Sequence, residues 1–169
     1  MCIRDRNNFN PNDLTFPLKI YQDMGLKIKK ISKTSYEFNC KTLKPIKKIS
    51  TKEYPGYPTD LQAQLIATQL KSALKSKVVE NIFENRFIHI PELRRFGANL
   101  SIIGKTVTIH KTLNLFGAEV MATDIRASFS LIIAAMMSKG TTVINRIYHL
   151  DRGYEDFDLK LKKCGVNIS

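Results

Sequence analysis

Apolar residues recur at helical spacing in two matching stretches. PTDLQAQLIATQL (58–70) sets Leu61, Leu65, Ile66, Ala67 and Leu70 on one stripe; ATDIRASFSLIIA (122–134) does the same with Ile125, Phe129, Ile132 and Ile133. Both open on Thr-Asp, so Asp60 and Asp124 are each placed to cap or charge-complement a helix N-terminus. Each predicted helix is followed by a strand-like run, SKVVENIF (76–83) and TTVINRIY (141–148). The interval from Asp60 to Phe83 equals that from Asp124 to Ile147, 23 positions.

A second signal repeats on the same scale. IYQDMG precedes LKIKKI, ELRRFG precedes ANLSII, and LKKCG precedes VNIS: an amphipathic stretch, a glycine, then a short alternating strand. The glycines, Gly25, Gly97 and Gly165, are 72 and 68 positions apart and stand where a helix end turns through the left-handed region. After ANLSII a turn at Gly104-Lys105 and the run TVTIH predict a hairpin. The pattern predicts an α+β fold of repeated helix–strand–helix–strand units, with an extra strand where a unit is complete. Residues 13–39 read as the tail of one such unit, and the last unit stops at Ser169 before its final strand. The chain is therefore expected to be incomplete at both ends. The pattern excludes 1–12, predicted to be a leader that is disordered or artefactual, and leaves 41–60 as the longest irregular linker.

Composition narrows the classes. The 169 residues are 43% hydrophobic and 25% charged, as in a soluble globular domain. The longest nearly apolar run, Phe129 to Met137, is too short to cross a bilayer, so no membrane partner is expected and the cytoplasm is the default. Cys2, Cys40 and Cys164 lie too far apart for a CxxC pair, and no His pair has metal-ligand spacing; neither metal nor cofactor is expected. The net charge of +12 is uneven: residues 1–53 alone hold 12 Lys and Arg against 5 acids. Three readings follow: a nucleic-acid partner, a solvated Lys-rich surface, or an anionic small substrate gripped by a few Arg. The Lys cluster lacks interleaved aromatics, which disfavours a nucleic-acid binding module.

Charged residues gather at the corners of each unit: Asp60, Glu84 with Arg86, Asp124 with Arg126, and Asp151, Arg152 and Glu155. Singly, each fits a helix cap or surface ion pair; together they put three Arg and several acids at equivalent positions, where a shared cleft would use them. His89, in RFIHIPEL, reads as a hydrogen-bonded structural residue. There is no Gly-rich phosphate loop and no GxSxG elbow.

The strings YPGYPTDLQAQ (54–64), VVENIFENRFIHIPELRRFGA (78–98), LFGAEVMATDIRAS (115–128) and GTTVINRIYHLDRGYEDFDLKLKKCGVNI (140–168) closely resemble the UDP-N-acetylglucosamine 1-carboxyvinyltransferase family, from about residue 13 to the end. The related enolpyruvyl transferases of the shikimate pathway share that fold but not these strings. The resemblance implies a lobe of repeated βαβαββ units packed around buried helices. It makes 13–169 a partial single lobe of a two-lobed enzyme.

The implied reaction moves the enolpyruvyl group of phosphoenolpyruvate onto the 3-hydroxyl of UDP-N-acetylglucosamine for peptidoglycan synthesis. By motif, Asp60 resembles the acid that contacts that hydroxyl and takes its proton. Ile82 and Phe83 resemble positions lining the uridine site. Arg86, Arg126 and Arg152 resemble arginines lining the cleft, Arg152 being the strongest match for a phosphoenolpyruvate or phosphate contact. Asp124 resembles a group that orients an arginine or assists proton transfer. The family's reactive Cys belongs to the other lobe, the missing partner, and none of the three cysteines here occurs in its motif. The family's substrate-contacting Lys and Asn near its N-terminus are absent too. The chain alone is therefore expected to be inactive.

Overall fold

The computed structural model describes residues 2–7, 10–72 and 74–169. Among these described residues, nine strands and six α-helices follow one another in repeating order. The central unit runs β4 (Lys48–Ser50), α2 (Gln62–Thr68), β5 (Ser76–Val79), α3 (Ile90–Arg95), β6 (Leu100–Ile103) and β7 (Thr106–Ile109), a complete βαβαββ series. Its four strands form one sheet in the order β4-β5-β7-β6, with β4 parallel to β5 and the other neighbours antiparallel. Before it stand α1 (Thr15–Asp23), β2 (Lys27–Lys30) and β3 (Tyr36–Cys40), the expected end of a preceding unit. After it come β8 (Glu119–Met121), α4 (Ile125–Met137), β9 (Val143–Asn145), α5 (Tyr148–Asp151) and α6 (Phe157–Lys163), with β8 parallel to β9.

Three predictions are corrected. The linker 41–60 contains β4, and β8 falls in a stretch not read as a strand. Each is only three residues long, and its partner lies across a helical crossover, so alternation along the chain is too brief to betray it. The strand-like runs 76–83 and 141–148 shorten to β5 and β9, because the Ile82 and Phe83 N–H groups bond the Glu80 side chain instead of a neighbouring strand, and Arg146 turns the chain at φ 59°. The leader, expected to be disordered or artefactual, is ordered over Cys2–Arg6 as β1, antiparallel along the whole of β3; Met1, Asn8 and Phe9 lie outside the described residues.

The glycine repeat has a common geometry. Gly25, Gly97 and Gly165 have φ of 104°, 85° and 86°. At Gly25 and Gly165 two crossed bonds close the helix end: Gly25 N–H to Gln22 O with Leu26 N–H to Tyr21 O, and Gly165 N–H to Lys162 O with Val166 N–H to Leu161 O.

Helices α2 and α4 pack on each other at the centre. Gln62 to Ala67 of α2 are all buried, as are Ala127, Ser128, Ser130, Leu131, Ile132 and Ala134 of α4. The buried serines cost little because their hydroxyls bond back to the helix, Ser130 Oγ to Ala127 O at 2.5 Å and Ser128 Oγ to Asp124 O. Leu65, Ile66, Val78, Leu93, Phe96, Val107 and Leu131 join the two helices to α3 and the four-stranded sheet in one core. Lys27, Lys29, Lys30, Lys33, Lys41, Lys44, Lys47 and Lys48 are all exposed. No helix among the described residues is long and apolar enough to cross a membrane.

Candidate active site

The parallel strands β4, β5 and β8 all release the chain toward the same group of turns, the usual position of a site in parallel pairs. After β4, Pro58 opens a single 3-10 turn, Thr59–Leu61, ahead of α2. After β5, the chain reverses through Asn85 at φ 55°. After β8, Asp124 opens α4.

The matched acids part company here. Asp124 caps its helix: its Oδ1 accepts the Arg126 and Ala127 N–H groups at 2.8 and 2.9 Å. Asp60 makes no capping bond. Its Oδ1 instead lies 2.9 Å from Arg86 Nη2 and 2.5 Å from Arg126 Nε. The cap expected at both positions exists at one: Pro58 heads the 3-10 turn and Leu61 heads α2, so the Asp60 carboxylate caps neither and projects toward the two arginines. That carboxylate is 57% exposed, so a ligand can reach it.

Arg86 is fixed from a second side, its guanidinium 4.7 Å above the centre of the Phe83 ring. Phe83, Arg86, Ile88, Asp124 and Arg126 line a cavity of about 320 Å³. Ile82 is exposed beside Phe83. Arg152 is not part of this cluster. It ends α5 and, with Tyr154 and Phe157, lines a separate cavity of about 500 Å³. Its neighbour Gly153 sits against Ile125 at the start of α4, and Tyr154 stacks on Phe129 with ring centres 4.6 Å apart. The Arg152 turn is thereby anchored to the same end of α4 that carries Arg126.

Two residues stand behind the site, and the first of them, Glu80, escapes sequence reasoning. Glu80 directly follows β5 and is 1% exposed. Its Oε1 accepts from Thr51 Oγ1 at 2.8 Å, Ile82 N–H at 2.9 Å and Phe83 N–H at 3.2 Å; its Oε2 accepts from Thr59 Oγ1 at 2.8 Å. The available signal is the period of two that puts Ser76, Val78 and Glu80 on one buried face. His89 is buried with its Nε2 unpartnered, and so differs from the hydrogen-bonded residue expected. Burial pushes its imidazole down to about 4; the Asp124 carboxylate opposes that shift and Arg86 adds to it. Among the described residues, no three His, Cys, Asp or Glu side chains gather as a metal site would require.

The EPSP synthase (3-phosphoshikimate 1-carboxyvinyltransferase) family model matches residues 5–161. A UDP-N-acetylglucosamine 1-carboxyvinyltransferase of Campylobacter lari is 49% identical over 95% of this chain and 38% of its own length. The protein of the same name from Bartonella tribocorum is 47% identical over 95% of this chain and 38% of its own length. The chain thus spans 38% of the length of these curated relatives. In structure, the enolpyruvyl transferase NikO from Streptomyces tendae superimposes with a TM-score of 0.80 at 24% identity, covering 94% of this chain and 37% of that one. EPSP synthase from Acinetobacter baumannii gives 0.64 at 14% identity, over 84% of this chain and 34% of that one. These two likenesses establish the α+β fold.

Proposed function

The chain belongs to the EPSP synthase family, and from that premise we propose that residues 13–169 are a partial lobe of a cytoplasmic enolpyruvyl transferase of cell-wall synthesis. Its substrates in the complete enzyme are UDP-N-acetylglucosamine and phosphoenolpyruvate. The observation that carries this reading is the Asp60–Arg86–Arg126 cluster: an accessible carboxylate that caps nothing, held between two cations. The names of relatives at 47–49% identity support the nucleotide sugar over shikimate phosphate.

In this reading Asp60 meets the sugar 3-hydroxyl and accepts its proton as the hydroxyl oxygen adds to C2 of phosphoenolpyruvate, while the methylene carbon takes a proton from the donor of the other lobe; a proton is then lost from that carbon as the bond from C2 to the phosphate oxygen breaks, restoring the double bond and releasing phosphate. Arg86 and Arg126, with Arg152 from the neighbouring turn, balance the carboxylate and phosphate of the second substrate. Ile82 and Phe83 offer an apolar surface to the uridine. Asp124 acts through Arg126, by capping the helix turn that carries it. The second lobe supplies the opposite wall and the proton donor, so this chain binds but does not turn over.

Purified chain supplied with both substrates tests this directly. We expect no phosphate release, and binding of UDP-N-acetylglucosamine in preference to shikimate 3-phosphate. Turnover by the chain alone overturns the half-cleft reading, and preference for shikimate 3-phosphate overturns the substrate. Salt-sensitive binding of duplex nucleic acid without sugar binding overturns both.

A further inference from the structure

We propose that Glu80 is the positioning residue of this site: its one buried carboxylate sets the spacing between the Asp60 turn and the Ile82–Arg86 turn. The proposal rests on the functional reading above for its ligand, but not for its geometry.

A charged side chain with 1% exposure is tolerated only when its lone pairs are filled. Glu80 accepts four hydrogen bonds, all from neutral donors, and these donors come from three separate segments. Thr51 follows β4, Thr59 directly precedes Asp60, and the Ile82 and Phe83 N–H groups begin the turn that ends in Arg86. Thr51 Oγ1 in turn accepts the Asn81 N–H at 2.8 Å, and Glu80 N–H bonds Lys105 O at 2.8 Å, extending the sheet to the carboxylate itself. Among the described residues, no backbone hydrogen bond joins Thr59–Asp60 to Ile82–Arg86. The two turns that bring the Asp60 carboxylate to the Arg86 guanidinium therefore meet through Glu80 behind the site and through that ion pair in front of it. Glu80 itself is buried away from ligand, so it acts through these groups.

The chemistry separates the substitutions. In Glu80→Gln the amide oxygen can keep the three donors on Oε1, and the amide NH₂ can donate to Thr59 Oγ1, whose hydroxyl accepts as readily as it donates. Glu80→Asp is one methylene short and cannot reach both Thr51 and Thr59. Glu80→Ala leaves the Ile82 and Phe83 N–H groups without their acceptor.

The test is amide hydrogen exchange and NMR on the purified chain and these three variants, followed by titration with UDP-N-acetylglucosamine. In the Ala and Asp variants, exchange at Ile82 and Phe83 should accelerate by about tenfold or more and the contact between Arg86 and Asp60 should be lost, with α4 amides unchanged. Glu80→Gln should stay within about twofold of the parent at all these positions. Unchanged exchange at Ile82 and Phe83 in the Asp and Ala variants overturns the proposal. Should both fail to fold, Glu80→Gln decides, since faster exchange there overturns it and parental exchange supports it. Sugar binding weakened by about tenfold in Glu80→Asp and restored in Glu80→Gln supports the same conclusion. If the parent chain binds no nucleotide sugar while the exchange pattern holds, the substrate reading fails and the role of Glu80 stands.

Discussion

Arg126 Nε stands 2.5 Å from Asp60 Oδ1, joining the first turn of α4 to the turn ahead of α2. The same oxygen receives Arg86, so one carboxylate holds two guanidiniums drawn from two repeat units. Asp60 and Arg126 are each about half exposed, 57% and 47%, and water screens their attraction. Asp60→Ala should therefore change the stability of the chain by no more than about 1 kcal/mol. The loss should shrink as salt rises, because the two cations left facing each other are screened. Urea unfolding at low and high ionic strength reads this. A loss of several kcal/mol would mean that Asp60 is part of the scaffold and not an accessible group.

The matched residue behaves oppositely. Asp124 accepts two of the N–H groups at the start of α4, a helix that forms half of the central packing. Asp124→Ala should cost about 1 kcal/mol, within the range of N-cap replacements, and Asp124→Ser should recover most of it. The same urea experiment checks both. Asp60→Ser should recover nothing that Asp60→Ala loses, because Asp60 caps no helix; equal rescue by serine at 60 and 124 would erase the distinction between them.

That distinction also marks the limit of what the sequence reveals. The repeat is legible because it rests on local chemistry: apolar spacing within α2 and α4, glycine past α1, α3 and α6, and a tight turn between β6 and β7. Strands β4 and β8 are hidden because three residues carry almost no period and their partners are chosen at long range. Thr59-Asp60 and Thr123-Asp124 look interchangeable in sequence, yet the residue before each differs: Pro58 heads a 3-10 turn at the first, and the cap falls on Asp124 itself at the second. Arg86 and Arg126 become neighbours of Asp60 only when β4, β5 and β8 are placed together, which no spacing along the chain encodes. Glu80 is the reverse case, where a period of two points inward and the residue's charge argues against believing it.

Gly117 offers a test of how closely the last unit is packed. A Cβ there would lie 2.0 Å from Thr141 O and 2.6 Å from Thr141 C, which is backbone that cannot swing aside. The Gly117 N–H also bonds Lys139 O at 2.7 Å, so the two segments cannot separate without losing that bond. Gly117→Ala should destabilise by roughly 2 kcal/mol or more. Gly140 lies nearby with φ 88° but nothing within 4 Å of its Cβ position, so Gly140→Ala should cost only the backbone strain, about 1–2 kcal/mol. Thermal unfolding of the two variants should rank them in that order. A harmless Gly117→Ala would mean that the segments leading into β8 and β9 approach less closely at Gly117 and Thr141.

His89 gives stability a pH dependence whose sign follows from its burial. The unfolded chain protonates this imidazole near its ordinary value of 6.5, whereas the folded chain resists until about 4. Above 6.5 both states hold it neutral and it contributes nothing to the slope. Between 6.5 and 4 the unfolded state binds the proton and the folded state does not. Stability therefore falls as pH falls through this window, by at most about 1.4 kcal/mol per unit and roughly 3 kcal/mol in all. The Asp124 carboxylate works against this loss and the Arg86 guanidinium adds to it. Other carboxylates begin to titrate at the lower end of the window, so the informative quantity is the difference from His89→Leu, which keeps an apolar side chain in the site and removes the proton acceptor. Urea unfolding at pH 7.5, 6 and 5, values chosen to span about the upper part of the window, should show the stability of the parent dropping relative to the Leu variant. Parallel pH profiles for the two proteins would mean that the imidazole is reached by water, and that the wall behind Asp124 and Arg86 is open.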